Sequence, residues 1–139
     1  MGFTRLLMTA SAVALGLLGL AGSFVPDEVL GWMGAPASPP LVLLVQLLGA
    51  LYLGFAVLDW MARGNLIGGI YSRPVATGNL LHFLSAGIAI LRLLARAPEL
   101  RALWPLALVY TLLAAGFAVV LFRHPVRPSP AAKEAGRPA

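Results

Sequence analysis

The chain has 139 residues, of which 60% are hydrophobic and only 11% are charged, and its mean hydropathy is +0.89. Soluble domains contain about 45–50% apolar and about 25% charged residues, so the composition excludes an ordinary soluble protein and wholesale disorder. The absence of cysteine excludes disulfides, thiol chemistry and cysteine-ligated metal clusters. The net charge of +5 comes from basic residues that flank apolar segments, which indicates a membrane protein with no nucleic-acid partner.

Four apolar segments are long enough to cross a bilayer, which takes about 20 residues in a helix. The predicted spans are residues 6–25, 41–62, 76–95 and 103–122. They lack the alternation of barrel strands, and in lipid only helices or closed barrels satisfy their own backbone. The sequence therefore predicts an all-α integral membrane four-helix bundle, antiparallel and up-down-up-down, over residues 1–122.

The first segment has two interpretations that both stay open. Arg5, an apolar run and the small residues Gly19 and Ala21 resemble a signal peptide with its cleavage site. The apolar run is longer than the usual 7–15 residues of a signal peptide, which favours a retained span. After this segment, Pro26, Asp27 and Glu28 predict the start of a short helix in the first connection.

Small residues predict where the helices pack closely, because lipid provides no hydrophobic drive for helix association. The first span has a stripe of them at helical spacing, and the second has one pair four residues apart. These positions are Ala12, Gly16, Gly19 and Ser23 in the first span, and Ala50 and Gly54 in the second. The connection after the second span, residues 63–79, is glycine-rich and predicts a long loop.

The distribution of Lys and Arg predicts the orientation in the membrane. If the N-terminus is cytoplasmic, seven basic residues fall on the cytoplasmic side and three on the other, which agrees with the positive-inside rule. The seven are Arg5, Arg63, Arg73, Arg123, Arg127, Lys133 and Arg137, and the three are Arg92, Arg96 and Arg101. Residues 123–139 predict a disordered, basic cytoplasmic tail. The excess of Arg over Lys is typical of GC-rich bacterial genomes, so the expected location is a bacterial inner membrane, with multiple spans and both termini cytoplasmic.

Polar side chains within the spans suggest one candidate site. His82, Ser85, Arg92 and Arg96 follow helical spacing along one face of the third span, and Tyr52 and Asp59 share a face of the second. Ionisable groups inside a membrane are functional candidates, so Asp59, His82, Tyr52 and Ser85 form a predicted ligand or proton cluster with an Asp59–His82 pair. The alternative is structural: Asp59 pairs with Arg63, and His82 bonds a backbone carbonyl.

Two further polar pairs carry weaker hypotheses. Gln46 and Arg92 are expected at similar depth toward the outer side, although Arg92 and Arg96 also fit arginines that extend to the headgroups. Arg63 and Arg73 flank the glycine-rich connection and are candidates to contact a lipid phosphate, or simply mark the cytoplasmic side. The two histidines and five acids supply neither a metal site nor a bis-histidine haem site.

The central segment QLLGALYLGFAVLDWMARGNLIGGIYSRPVATGNLLHF, residues 46–83, and the four-span layout resemble small uncharacterised bacterial inner-membrane proteins, loosely similar to the DoxX-like four-helix group. The resemblance covers about a quarter of the chain besides the layout. It implies quinone-using respiratory chemistry, and it transfers no catalytic residue.

The expected function is non-enzymatic. The chain is predicted to be an accessory subunit, or a module that binds lipid or quinone between the second and third spans, with no other cofactor. The alternative is a small homodimeric transporter or proton-coupled permease that uses Asp59 and His82. Membrane lipids are the expected partners, together with a second copy of the chain or a larger membrane complex.

Overall fold

The structure, a computed structural model, describes residues 2–64 and 72–123. These ranges contain α1 (Gly2–Phe24), α2 (Pro26–Trp32), α3 (Pro39–Ala62), α4 (Ser72–Arg96), a 3-10 turn (Arg101–Leu103) and α5 (Trp104–Arg123). Four of the helices, α1, α3, α4 and α5, are long and apolar enough to cross a membrane. The prediction of an all-α four-helix bundle is confirmed, and the chain is a multi-pass membrane protein.

The helix boundaries lie within two residues of the predicted spans except at the start of the first span, where α1 begins at Gly2, four residues early, and at the start of the third span. There α4 begins at Ser72, four residues before the expected position, so the second part of the connection predicted as a loop is helical. Pro74 lies in the first turn of α4, where its missing N–H breaks no helical hydrogen bond. The remainder of that connection, residues 65–71, and the tail at 124–139 lie outside the described residues.

The short helix α2 begins where the Pro26-Asp27-Glu28 sequence predicts it. Its two acidic residues lie in the first turn, where they oppose the positive end of the helix dipole. Gly34 has a φ of 68°, a left-handed conformation that glycine adopts without strain, and the chain turns there toward α3. The connection between the first two spans is therefore partly helical.

The antiparallel helices α1 and α3 are in backbone contact through glycines. A Cβ built on Gly19 would lie 2.9 Å from the Gly49 carbonyl oxygen, and one built on Gly16 would lie 3.7 Å from the Ala56 Cβ. The predicted small-residue stripe of α1 is thus its packing face. The prediction for α3 was wrong, because Ala50 and Gly54 are exposed and the contact is made by the neighbouring face at Gly49.

The second antiparallel pair, α4 and α5, packs through aromatic side chains. Phe83 stacks on Phe117 with ring centroids 5.9 Å apart, and it meets Tyr110 edge-on at 5.3 Å. These three side chains are buried in the centre of the bundle, where the two helix pairs meet. We call the end of the bundle that contains the α3 C-terminus and the α4 N-terminus the Arg63 end. The opposite end, which contains the start of α5, is the Trp104 end.

Candidate functional site

Three polar side chains from three different helices meet near the Arg63 end of the bundle. Ser11 of α1, Asp59 of α3 and Asn79 of α4 are each 0% exposed, and they are the buried polar or charged residues of the described ranges. Ser11 and Asp59 come from the glycine-packed pair, and Asn79 comes from the aromatic pair. We call these three residues the polar triad.

Hydrogen bonds connect every member of the polar triad. The Ser11 hydroxyl donates to Asp59 Oδ2, and Asn79 Nδ2 donates to Asp59 Oδ1. The same amide nitrogen lies 3.1 Å from the Val75 carbonyl oxygen, one turn earlier in α4. Since both contacts of Nδ2 are with acceptors, the orientation of the Asn79 amide is defined by its surroundings. The other amide atom, Asn79 Oδ1, lies 3.4 Å from the Ser11 hydroxyl oxygen.

The polar triad provides the partners that a buried carboxylate requires. A carboxylate in a low-dielectric interior is unfavourable unless hydrogen bonds compensate for its lost hydration. Both Asp59 oxygens accept such bonds, and the Asp59 side chain is fully buried inside the bundle. Asp59 is therefore bonded to α1 and α4, and the predicted structural alternative, an Asp59–Arg63 pair, is not what satisfies it.

Sequence reasoning missed Ser11 and Asn79. Ser11 is one position from the small-residue stripe of α1, and Asn79 was counted as the last residue of the glycine-rich connection. A signal for Asn79 existed, because asparagine in a membrane helix generally bonds to a neighbouring helix. Ser11 carried no comparable signal, because serine also occurs within apolar spans as a small residue.

The predicted Asp59–His82 pair is not formed. The Asp59 carboxylate bonds to Asn79, and His82 lies one turn further along α4, beside Tyr52 and Phe55. Because α3 and α4 run antiparallel, moving from Asn79 to His82 moves away from the end of α3 that carries Asp59. The face of α3 was predicted correctly, whereas the buried face of α4 runs through Asn79 and Phe83 and leaves Ser85 exposed. The relative depth of Asp59 and His82 was also wrong, by about one turn.

His82 occupies an aromatic enclosure. Its ring centroid lies 5.1–5.6 Å from the centroids of four aromatic rings contributed by α3, α4 and α5. These rings are Tyr52, Phe55, Phe83 and Tyr110. The buried His82 Nε2 has no hydrogen-bond partner among the described residues, so this nitrogen does not make the backbone-carbonyl bond predicted for His82. The enclosure also fills the space between α3 and α4 in which a lipid or quinone site was predicted.

The other predicted site residues lie on the surface of the bundle. Ser85 is exposed and is not part of the polar triad or the aromatic enclosure. It lines a recess of about 330 Å³ on α4, together with Arg92 and Arg96 toward the Trp104 end. Gln46 is exposed on α3 and does not line that recess, so the structure does not bring it together with Arg92 there.

The two arginines near the α3–α4 connection differ in exposure, and Arg63 is half-buried. The Arg63 guanidinium carbon lies 3.3 Å from the centroid of the Trp60 ring, a cation–π contact. Arg73 is exposed in the first turn of α4. The segment between these arginines belongs to the residues that are not described, so their contact with a common phosphate stays a prediction.

An apolar groove lies between α4 and α5 and has a volume of about 450 Å³. Gly87, Ala115 and Ala118 leave space in its floor, and Phe83 and Phe122 are among the larger residues that line it. Its one polar lining residue is Thr111, whose hydroxyl donates to the Ala107 carbonyl at 2.8 Å within its own helix. The groove therefore presents an apolar surface, suited to a hydrocarbon tail.

No group of three or more His, Asp or Glu side chains that suits a metal ion occurs in residues 2–64 and 72–123. Comparison with protein-family models, with curated proteins and with solved structures finds no match for the sequence. The similarity to the DoxX-like group consequently stays a prediction from the sequence.

Proposed function

We propose that the chain is a non-enzymatic integral membrane protein that binds the apolar part of a lipid or quinone in the groove between α4 and α5. The observation that carries this proposal is the shape of the groove, whose floor is built from Gly87 and small α5 residues. Small residues leave an open groove that the helices do not fill, and its volume of about 450 Å³ is within the range of ligand sites in proteins. The proposed site therefore lies between α4 and α5, and not between α3 and α4 as the sequence predicted.

The proposal includes the location expected from the sequence, a bacterial inner membrane with both termini cytoplasmic. With that orientation, Arg63 and Arg73 lie on the cytoplasmic side, where anionic headgroups attract basic side chains by about 1 kcal/mol each. They are candidate contacts for a lipid phosphate of that leaflet. An accessory role in a larger membrane complex is compatible with the same lipid-binding groove.

Native mass spectrometry of the full chain in mild detergent tests the proposal. A retained lipid or quinone is expected on the wild-type chain, and Ala115→Phe should remove it because the new ring fills the groove. Ala10→Phe, at an exposed position of α1 outside the groove, is the matched control and should leave retention unchanged. Equal retention by the two variants would refute the groove as the binding site.

A second candidate function, a proton-coupled homodimeric transporter, rests on one observation. The bundle interior holds a buried carboxylate, Asp59, and about one turn deeper a buried histidine nitrogen without a described partner. Reconstitution in liposomes with an internal pH dye tests this candidate. Proton uptake that is lost in both Asp59→Asn and His82→Phe, from a chain that elutes as a bare homodimer, would favour it over the lipid-binding function.

A further inference from the structure

Two surface features that border each other on α4 have complementary chemistry. The apolar groove includes α4 residues from Leu80 to Leu91, and the recess that contains Arg92 and Arg96 begins on the adjoining face. Ile88 lines both of them. An apolar channel thus continues into a basic recess, and this arrangement fits an amphiphile with a hydrocarbon tail and an anionic head.

The length of the groove agrees with the length of one lipid tail. With a rise of 1.5 Å per residue, the α4 side of the groove from Leu80 to Leu91 is about 17 Å long. One leaflet contributes about half of the 30 Å hydrocarbon core. Arg92 follows directly at the Trp104 end of the groove, where the headgroup of such a lipid would be.

The basic recess has the charge and the geometry for a phosphate group. Arg92 and Arg96 are one turn apart and about 40° apart around the helix, so both guanidinium groups can approach one anion. Both are exposed, and the α4–α5 connection adds a third arginine, Arg101, against a single carboxylate, Glu99. Within α4 and the α4–α5 connection, from Arg92 to Arg101, basic charge exceeds acidic charge, so the field at the recess favours an anion, although Asp27 and Glu28 of α2 lie at the same end of the bundle.

The groove itself argues against a neutral quinone head. A quinone ring carries carbonyl oxygens that need hydrogen-bond donors in a dry site. The hydroxyl of Thr111, the one polar lining residue, already donates to the Ala107 carbonyl. The available donors are the guanidinium groups at the end of the groove, whose geometry matches the oxygens of a phosphate.

From these observations we infer that the α4–α5 groove and the Arg92–Arg96 recess together bind one phospholipid, with its tail in the groove and its phosphate on the two arginines. This inference rests on the proposed function and specifies its ligand class. In the orientation proposed above, the lipid belongs to the outer leaflet.

The test is a binding titration of the full chain in detergent with two lipids that have identical tails. Phosphatidylglycerol carries the phosphate and diacylglycerol lacks it. The wild-type chain is expected to bind phosphatidylglycerol at least about tenfold more tightly, and the double substitution Arg92→Gln/Arg96→Gln should remove most of that preference without changing diacylglycerol binding. Arg101→Gln is the matched control, because it removes one charge from the same end but lies outside the recess and the groove. Equal binding of the two lipids by the wild-type chain would overturn the inference.

The experiment separates this inference from the function on which it depends. If Ala115→Phe abolishes binding of both lipids and the double arginine substitution changes the preference no more than Arg101→Gln, the groove is supported and the headgroup assignment is refuted. If Ala115→Phe leaves both lipids bound, the groove itself is refuted. Inorganic phosphate at millimolar concentration should not displace phosphatidylglycerol, and displacement would identify a free-anion site instead of a lipid site.

Discussion

Asn79 of α4 donates a hydrogen bond to the carboxylate of Asp59 of α3, inside a bundle that is otherwise assembled from apolar contacts. This bond crosses from one helix pair to the other. The α1–α3 pair is joined by backbone contacts at glycines, and the α4–α5 pair by stacked aromatic rings. The polar triad links the two pairs, and its contribution to stability can be measured separately from the apolar packing.

Loss of the Asn79 side chain should destabilise the bundle more than loss of an exposed amide. Asn79→Ala leaves one Asp59 oxygen without a donor and out of reach of water, which is expected to lower the free energy of unfolding by about 1–3 kcal/mol. Gln46→Ala, at an exposed position of α3, should change it by less than about 0.5 kcal/mol. Unfolding by SDS titration in mixed micelles measures both values.

A double-mutant cycle isolates the bond between the two residues. The combined Asp59→Ala/Asn79→Ala variant should lose less stability than the sum of the single variants, with a coupling energy of about 0.6–1.7 kcal/mol, as measured for polar pairs in membrane bundles. Strict additivity of the two single effects would mean that this hydrogen bond does not stabilise the fold.

Two glycines of α3 should respond in opposite ways to the same substitution. A Cβ on Gly49 would lie 2.5 Å from the Ser23 backbone nitrogen, so Gly49→Ala must separate α1 from α3. A Cβ on Gly54 would meet nothing within 4 Å. We expect Gly49→Ala to lower the unfolding free energy by about 2 kcal/mol, as overpacking does, and Gly54→Ala to raise it by up to about 1 kcal/mol through helix propensity. Equal effects of the two variants would contradict the packing of α1 against α3.

His82 should tolerate an aromatic replacement and not a small one. Phenylalanine retains the contacts with Tyr52 and Phe55 and removes a buried nitrogen without a described partner, so His82→Phe should keep or increase the stability. His82→Ala opens a cavity among the surrounding rings and should cost about 3 kcal/mol. The melting temperature in detergent reports both effects. A large loss of stability in His82→Phe would show that the histidine makes a polar interaction in the folded state.

The orientation can be tested directly, because the sequence contains no cysteine and any single cysteine introduced is unique. Ala102→Cys, exposed in the 3-10 turn at the Trp104 end, should react in intact cells with a membrane-impermeant maleimide. Gly64→Cys, exposed just after α3, should react only after the cells are opened. The reverse pattern would place the termini outside and would contradict the count of basic residues.

The candidate site was predictable only in part, and the reason lies in what helical spacing determines. Spacing establishes which side chains share a face, and it correctly put Tyr52 with Asp59 on α3. On α4 it grouped His82 with Ser85, although His82 faces α3 and Ser85 is exposed. Spacing does not establish how far an antiparallel neighbour is shifted along its axis. One turn of a helix advances about 5.4 Å, so a shift of α4 by a single turn along its axis changes the partner of Asp59 from His82 to Asn79.

The sequence by itself determined that this is a bundle of four membrane-spanning helices. The length and hydropathy of each segment are local properties that can be compared directly with the thickness of a bilayer. It also determined the packing face of α1, since Gly16 and Gly19 allow close approach whichever helix is the neighbour. Only the tertiary structure decided that α1 packs on α3 through Gly49, that Ser11 and Asn79 satisfy Asp59, and that aromatic rings fill the space beside His82. These depend on the rotation and depth of each helix against its neighbours, which result from all the contacts together and are not encoded in any one segment.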